Sequence, residues 1–406
     1  MIYEEVQAKS LLSKRVEADG WFHSNYSMNI YRGCQFSCAY CDGMAEHYHV
    51  DNFRDHIRVK INAPRILEKE LKRILPGKST SLLDFTEPRP EHKRPIIGIS
   101  GGVSDSYQQA EKKYQVTRKI LEVILKHELP VFLLTKSDLV LRDIELLESI
   151  NERAFASVCF TITLMEEELR EVYEPNSSST YQRFRALKTL RRKGIRGGVM
   201  AMPIIPYIGD GLDNMRGIIK ESKRADSEFV LFAGLTLKPG RQKRHFLETV
   251  RRNNLVKLAR IRDLYSNENR YGAPVWSEVP VNVMTLGHKL CLDEEVNPRS
   301  VRHRCPGEYE PNHMVLQAML DIKYWMSTLL GKGKREWSRF QALASRIESG
   351  LPNLKMALDM GKLQDVIEPS LLSDVQEILE TGSCELYRRI RGDVNKVARE
   401  EYERLS

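Results

Sequence analysis

Short apolar runs alternate with amphipathic stretches along the first two thirds of the chain. Ser27 to Tyr31 is a strand-like run, preceded by Trp21 and Phe22. Ala63 to Leu75 repeats apolar residues at Ile66, Leu67, Leu71 and Ile74, the spacing of one helix face, and Pro76-Gly77 ends it. After a polar connector over 78–94 that contains Pro88 and Pro90, Pro95 to Ser100 reads as a short strand stopping at Gly101-Gly102. The pattern then predicts a helix over 108–127, a strand over 130–135, a helix over 139–150 and a strand over 154–164. Helices from 166 and over 180–193, a strand over 195–203, a helix over 214–225 and a strand over 228–232 complete the series. About six alternations of strand and helix predict βα units around a parallel sheet, an α/β fold with a partial (β/α)6 barrel of TIM type. From residue 281 the strands stop, and 311–330, 337–349, 370–379 and 384–405 all read as helices. The expected organisation is a leader over 1–25, the barrel over 26–280 and an α-helical C-terminal extension over 281–406.

At 406 residues the chain exceeds the roughly 250–300 at which one core stops growing, in keeping with a barrel plus an extension. No apolar run approaches the roughly 18 residues of a membrane span, and Met1-Ile2-Tyr3-Glu4-Glu5 lacks the start of a secretory signal. Seven cysteines, three of them bunched, do not form a disulfide framework, so a reducing cytoplasm is expected. The net charge is +8 and its distribution is uneven. Between Glu174 and Asp210 no acidic residue occurs, while Arg183, Arg185, Lys188, Arg191, Arg192, Lys193 and Arg196 crowd together. A second basic run spans 238–252, with Lys238, Arg241, Lys243, Arg244, His245, Arg251 and Arg252. A third spans 299–304, with Arg299, Arg302, His303 and Arg304. Each reads singly as a solvated helix face; together they raise a nucleic-acid phosphate footprint.

The densest chemistry lies in Tyr31-Arg32-Gly33-Cys34-Gln35-Phe36-Ser37-Cys38-Ala39-Tyr40-Cys41-Asp42. Three cysteines at C-x3-C-x2-C suit three irons of a 4Fe-4S cluster, whose soft thiolate ligands usually number four; a missing fourth leaves an open iron. The same cysteines with His47 or His49 make an ordinary Cys3His zinc set. The loop follows the first strand, and ligands of parallel sheets sit at the carboxyl ends of strands. Gly101-Gly102, Lys136-Ser137, Thr161 with Thr163, and Pro203 to Pro206 fall at the same edge. Asp105 and Glu174 are acid–base candidates there. Cys159, inside an apolar strand, reads as core, and His288, Cys291, His303 and Cys305 match no metal spacing.

With Tyr40 before the third cysteine, the stretch resembles the radical S-adenosylmethionine (SAM) enzymes. Asn29 to Cys34, Ser104 to Gln108, Leu134 to Ser137 with Arg142-Asp143, and Pro203 to Pro206 look like the spore photoproduct lyase-like branch, over roughly residues 26–240. The resemblance implies that Cys34, Cys38 and Cys41 ligate the cluster and that SAM chelates the open iron. One electron, from a donor such as a flavodoxin or ferredoxin, would then cleave SAM to methionine and a 5′-deoxyadenosyl radical. It implies further that the backbone at Gly101 and Gly102 meets the methionyl amino group and that Lys136 pairs with the SAM carboxylate, a task suited to a point charge. Ser137 beside Lys136 counts among the cofactor contacts, Thr161 and Thr163 would bond the ribose, and Tyr40 would border the adenine. The expected reaction abstracts hydrogen from a substrate, by preference a nucleic-acid base. A peptide or small metabolite is the alternative, and a non-enzymatic zinc-containing nucleic-acid-binding module a third reading. Ser100 to Asp105 holds no cysteine where the lyase proper has its hydrogen donor, which argues against thymine-dimer repair; Tyr107 is a substitute donor candidate.

Overall fold

The computed structural model describes residues 1–75, 94–99 and 104–405. Strands are numbered β1 (Ile2–Val6), β2 (Leu12–Lys14), β3 (Tyr26–Met28), β4 (Tyr31–Arg32), β5 (His56–Lys60), β6 (Ile97–Ile99), β7 (Val131–Thr135), β8 (Ala156–Thr161), β9 (Val199–Ile204) and β10 (Val230–Gly234). The main sheet runs β10-β9-β8-β7-β6-β3-β2, and every pair from β3 to β10 is parallel. Strand order therefore follows chain order, as six successive βα units require, and the α/β expectation holds. β8 is buried at all six positions, the signature of a central parallel strand covered on both faces.

The first unit differs from the sequence expectation. The main-sheet strand is only Tyr26–Met28, after which Tyr31–Arg32 crosses to a second sheet of order β1-β5-β4. The leader is thus structured: β1 pairs in parallel with β5, and β2 pairs antiparallel with β3. β1 is exposed at four of its five positions, so it carries little hydrophobic signal; β5 alternates buried Ile57 and Val59 with half-buried neighbours, a period-two pattern legible in the sequence.

The single helix expected over 108–127 is two, Ala110–Tyr114 and Val116–Lys126, broken at Gln115 with φ 51°. The break lets the fully buried Glu111 carboxylate accept from the backbone N–H of Thr117 at 3.0 Å and from the Tyr31 hydroxyl. A buried carboxylate needs such partners, and that need overrides helix propensity. Thr180–Arg192 opens with a capping box between Ser179 and Gln182, which fixes its start.

The helices expected after 281 are present as Glu310–Tyr324, continued by a π-turn Trp325–Leu329, and as Lys334–Gly350, Pro369–Thr381 and Glu385–Leu405. A further helix, Val283–Asp293, packs on β10 and on Glu385–Leu405. One apolar core runs from the barrel through Leu316, Phe340, Leu371 and Val394, so barrel and extension share their interior. Among the described residues no helix is long and apolar enough to cross a membrane.

Candidate active site

The cysteine loop is held by backbone geometry before any cofactor chemistry. Gly33 has φ +86°, and a Cβ there would lie 2.7 Å from the His56 carbonyl oxygen and 2.8 Å from that of Phe53. Only glycine fits. The Cys34 N–H then donates to the Phe53 carbonyl at 2.9 Å. Two glutamines lock the next turn: Gln108 Nε2 donates to the Gly33 carbonyl at 3.1 Å, and its Oε1 accepts from the Gln35 N–H at 2.9 Å. Gln35 returns the contact by accepting from the Ala110 N–H at 2.6 Å. On the far side Gln242 Nε2 donates to the carbonyls of Tyr40 and Thr236, each at 2.9 Å. Beneath the loop, Arg142 bridges Glu111 at 2.8 Å and Asp143 at 2.7 Å, and Asp143 accepts from Tyr107 at 3.1 Å.

Gln108 is fully buried, so Gln108→Leu strands two backbone groups at about 1–3 kcal/mol each. The expected outcome is faster alkylation of Cys34 by a thiol reagent and lower iron loading on reconstitution, read by mass spectrometry and iron assay. Wild-type alkylation kinetics would show that the clamp is dispensable.

Cys34 and Cys38 are buried, Cys41 is half-buried, and all three are free thiols. Burial pushes each thiol pKa up, so loading a metal centre must displace protons. Asp105 and Cys41 add to the effect at Cys34, while the Lys136 ammonium opposes it at Cys38 and Cys41. Lys136 follows β7, and its Nζ sits 5.6 Å from the Tyr40 ring centroid. Burial disfavours the ammonium, but Cys38, Glu174 and Cys41 outweigh it and the net shift is upward. Asp105 sets the approach of this strand end, accepting from the Thr135 hydroxyl at 2.7 Å and the Lys136 N–H at 2.9 Å.

Glu174, an acid–base candidate in the sequence, is the hub of a buried network whose partners the sequence did not reveal. Its fully buried carboxylate meets Arg183 Nη2 at 2.7 Å and accepts from the Thr163 hydroxyl at 2.9 Å and from the Tyr40 hydroxyl. Burial alone would raise its pKa; Arg183, Lys136, Tyr40 and Thr163 together hold it at about 2. Arg183 also donates to the Thr161 carbonyl at 2.6 Å. It stood in the first basic run, yet its register with Thr180, Phe184, Leu187 and Leu190 puts it on the buried face of its helix. That periodicity was the available signal.

Strand ends thus bring Cys34, Cys38, Cys41, Tyr40, Lys136 and Thr163 into one neighbourhood. The Thr163 hydroxyl is engaged by Glu174, and the Ser137 hydroxyl caps the following 3-10 turn, accepting from the Leu139 N–H at 3.2 Å. Thr161 is buried at the end of β8. Gly101 and Gly102 lie outside the described residues. Tyr107 is buried with its hydroxyl on Asp143. Cys159 lies in the core, the Cys291 thiol meets the Val230 carbonyl at 3.7 Å, and His303 meets Glu228 at 3.2 Å, each at a separate place.

Among the described residues no three His, Cys, Asp or Glu side chains converge to hold one metal ion. His47 is stacked on Tyr48, ring centroids 3.9 Å apart. A cluster takes one thiolate per iron rather than three on one ion. Three free thiols on one clamped loop beside an ammonium are a donor set that fits such a cluster.

The basic runs are largely paired within the chain. Arg191 and Arg196 meet Glu228, Lys193 meets Glu148, Arg241 meets Asp51 and Lys243 meets Glu268. Arg251 and Arg252 share Glu248, Arg299 meets Asp321, and Arg302 meets Glu308 and Glu348. Arg185, Lys188 and Arg192 are exposed on one helix face.

No protein-family model matches this chain. The uncharacterized protein Rv2578c of Mycobacterium tuberculosis is 25% identical over 314 residues, covering 76% of this chain and 83% of that protein. In structure the chain is similar to spore photoproduct lyase and to other radical SAM enzymes. For a lyase variant with bound AdoMet and dinucleoside spore photoproduct, identity is 16%, the TM-score 0.46, and coverage 62% of this chain and 66%, just under two thirds, of that one. For the cobalamin-dependent S-adenosylmethionine radical enzyme OxsB, identity is 12%, the TM-score 0.34, and coverage 93% of this chain and 58% of that one. The uncharacterized protein MJ0683 of Methanocaldococcus jannaschii is 34% identical over 227 residues, covering 55% of this chain and 76% of that protein. On that identity and coverage, the chain belongs to the same family as MJ0683.

Proposed function

We propose that this chain is a radical SAM enzyme. The observation that carries the reading is the clamped loop of three free thiols at the carboxyl edge of a six-strand parallel series, with Lys136 beside it. Cys34, Cys38 and Cys41 would hold a 4Fe-4S cluster, which when bound would supply the electron for reductive cleavage of SAM to methionine and a 5′-deoxyadenosyl radical. The chain's own residues do the rest. Lys136 pairs with the SAM carboxylate, and the Tyr40–Glu174–Arg183 network fixes the wall beside it. A flavodoxin or ferredoxin is the proposed electron donor. The test is anaerobic reconstitution, dithionite reduction with SAM, and chromatography for 5′-deoxyadenosine. Its absence from a fully loaded cluster protein would overturn the reading.

Lys136→Ala is expected to weaken SAM binding at least about tenfold, the loss of one charge-assisted contact, while iron content stays unchanged. Calorimetric titration with SAM checks it. Equal affinity in the variant would remove Lys136 from the site.

The substrate reading favoured here is a small molecule without negative charge. A cavity of about 670 Å³ opens at the ends of β9 and β10, walled by Ile204, Gly234, Leu235, Tyr265 and Trp276. Leu235 and Tyr265 also belong to the apolar cluster that surrounds Cys34 and Cys38. Asp210 is the only charged residue among those described in the lining, so the cavity offers a phosphate no counter-charge. The second reading, a nucleic-acid substrate, rests on the exposed stripe Arg185, Lys188 and Arg192. Binding that weakens steeply with salt and depends on that stripe would favour it.

A further inference from the structure

The cavity at the ends of β9 and β10 has one charged residue in its described lining, and that charge has no counter-ion. Asp210 lies in the turn between β9 and the Leu212–Arg224 helix. A carboxylate this close to a helix start commonly caps it, but no side chain caps this one. Asp210 forms no ion pair and accepts from no side chain among the described residues. Burial raises its pKa; the backbone N–H groups of Tyr207 and Asp210 itself, with the charge of Lys257, hold the rise in check. Those N–H groups stand near the carboxylate without forming hydrogen bonds of normal geometry. The residue is 9% exposed, and neither carboxylate oxygen is among the sealed polar atoms left without a partner. Both oxygens therefore keep open surface, and Asp210 presents it to the cavity.

The walls supply no partner either. The Tyr265 hydroxyl donates to the Leu235 carbonyl at 2.7 Å, and Asn282 accepts from the Thr285 N–H at 3.3 Å as the cap of the next helix. The Ser327 and Thr328 hydroxyls lie 3.3 Å apart and serve each other. Half-buried Trp21, Ala233 and Val281 and the exposed Trp276 make the accessible wall largely apolar. A carboxylate facing such a space is costly until a cation joins it. A hard metal ion does not fit, since it takes six or more oxygen ligands and a single carboxylate stands here. An organic cation with an apolar body fits both parts: its N–H groups make charge-assisted hydrogen bonds to the carboxylate, and its body covers the wall. About 670 Å³ is ordinary for a small-molecule pocket.

We infer that this cavity takes a primary amine with an apolar body, its ammonium group held by Asp210. That the amine is the substrate rests on the radical SAM reading above; that the cavity binds it does not. The test is calorimetric titration of the full chain, without SAM or reductant, with tryptamine and with 2-phenylethylamine. Each is set against the alcohol of the same skeleton, tryptophol or 2-phenylethanol. The site predicts that each amine binds at least about tenfold tighter than its alcohol, the weight of one charge-assisted contact. Asp210→Asn removes the charge and keeps the shape, so it should bring the amine down to the alcohol and leave the alcohol unchanged. Equal binding of amine and alcohol, no saturable binding of either amine, or a preference that survives in Asp210→Asn would overturn the inference. Tryptamine held through Asp210 by a cluster-loaded chain that forms no 5′-deoxyadenosine would keep the site and remove the radical chemistry. A chain that forms 5′-deoxyadenosine and shows no preference for amines would keep the chemistry and remove the site.

Discussion

Cys38→Ala is expected to abolish 5′-deoxyadenosine formation from SAM while the barrel stays folded. The thiol sits in the apolar cluster that also holds Phe36, Tyr40 and Leu164, and it is 6% exposed. Removing one sulfur atom there leaves a small void, costing on the order of 1 kcal/mol or less, which a domain of this size tolerates. The chemical loss is not graded in that way. Two thiolates cannot hold a cluster that already lacks a fourth cysteine, so SAM has no reductant beside it. Cys159→Ala is the control: that residue is fully buried in β8, away from the loop, and its variant should keep activity. Circular dichroism and chromatography on both variants separate folding from chemistry. A Cys38→Ala protein cleaving SAM at the wild-type rate would refute the ligand assignment.

The second large effect is on stability. Arg183→Met leaves Glu174 as a buried carboxylate without its guanidinium, and breaking such a pair from one side costs about 3–5 kcal/mol. The pair also predicts how stability depends on pH. Glu174 titrates at about 2 in the folded chain, against an ordinary value of 4.5. A depressed carboxylate contributes its stability in full above the ordinary value and loses it as pH falls through the folded value. The contribution, on the order of 3 kcal/mol, should therefore be present at neutral pH and fade between about pH 4.5 and pH 2. Urea unfolding across that range should show a steep acid limb in the wild type and a shallower one in Glu174→Gln. Identical acid limbs would mean that Glu174 is not the titrating group.

The parallel series was readable because each central strand is a short apolar run: β7 and β8 are buried almost throughout and sit between helices with clear apolar faces. The second sheet was not, since β1 spells Ile-Tyr-Glu-Glu-Val and faces solvent. Its strand character comes from pairing with β5, a contact between residues more than fifty apart that local pattern does not encode. At the site, the cysteine spacing and the lysine at a strand end were legible as positions, and the structure brings Lys136 beside Tyr40 and the cysteine loop. The clamp of Gln35 and Gln108 was not legible, because a glutamine reads as surface until its partners are known. The basic runs were only partly legible for a related reason. Charge counts ignore which residue faces which, and Arg183, Arg299 and Arg302 all turn inward onto carboxylates.

The proposed radical chemistry requires that Cys34, Cys38 and Cys41 together hold a cluster with one open iron. The most direct measurement is metal and sulfide analysis of anaerobically purified protein, with electron paramagnetic resonance of the reduced sample before and after SAM. Such a cluster predicts roughly four irons and four acid-labile sulfides per chain, and a reduced signal whose shape changes when SAM binds. One zinc per chain with no sulfide would contradict it and leave the barrel as the scaffold of a zinc-containing binding module.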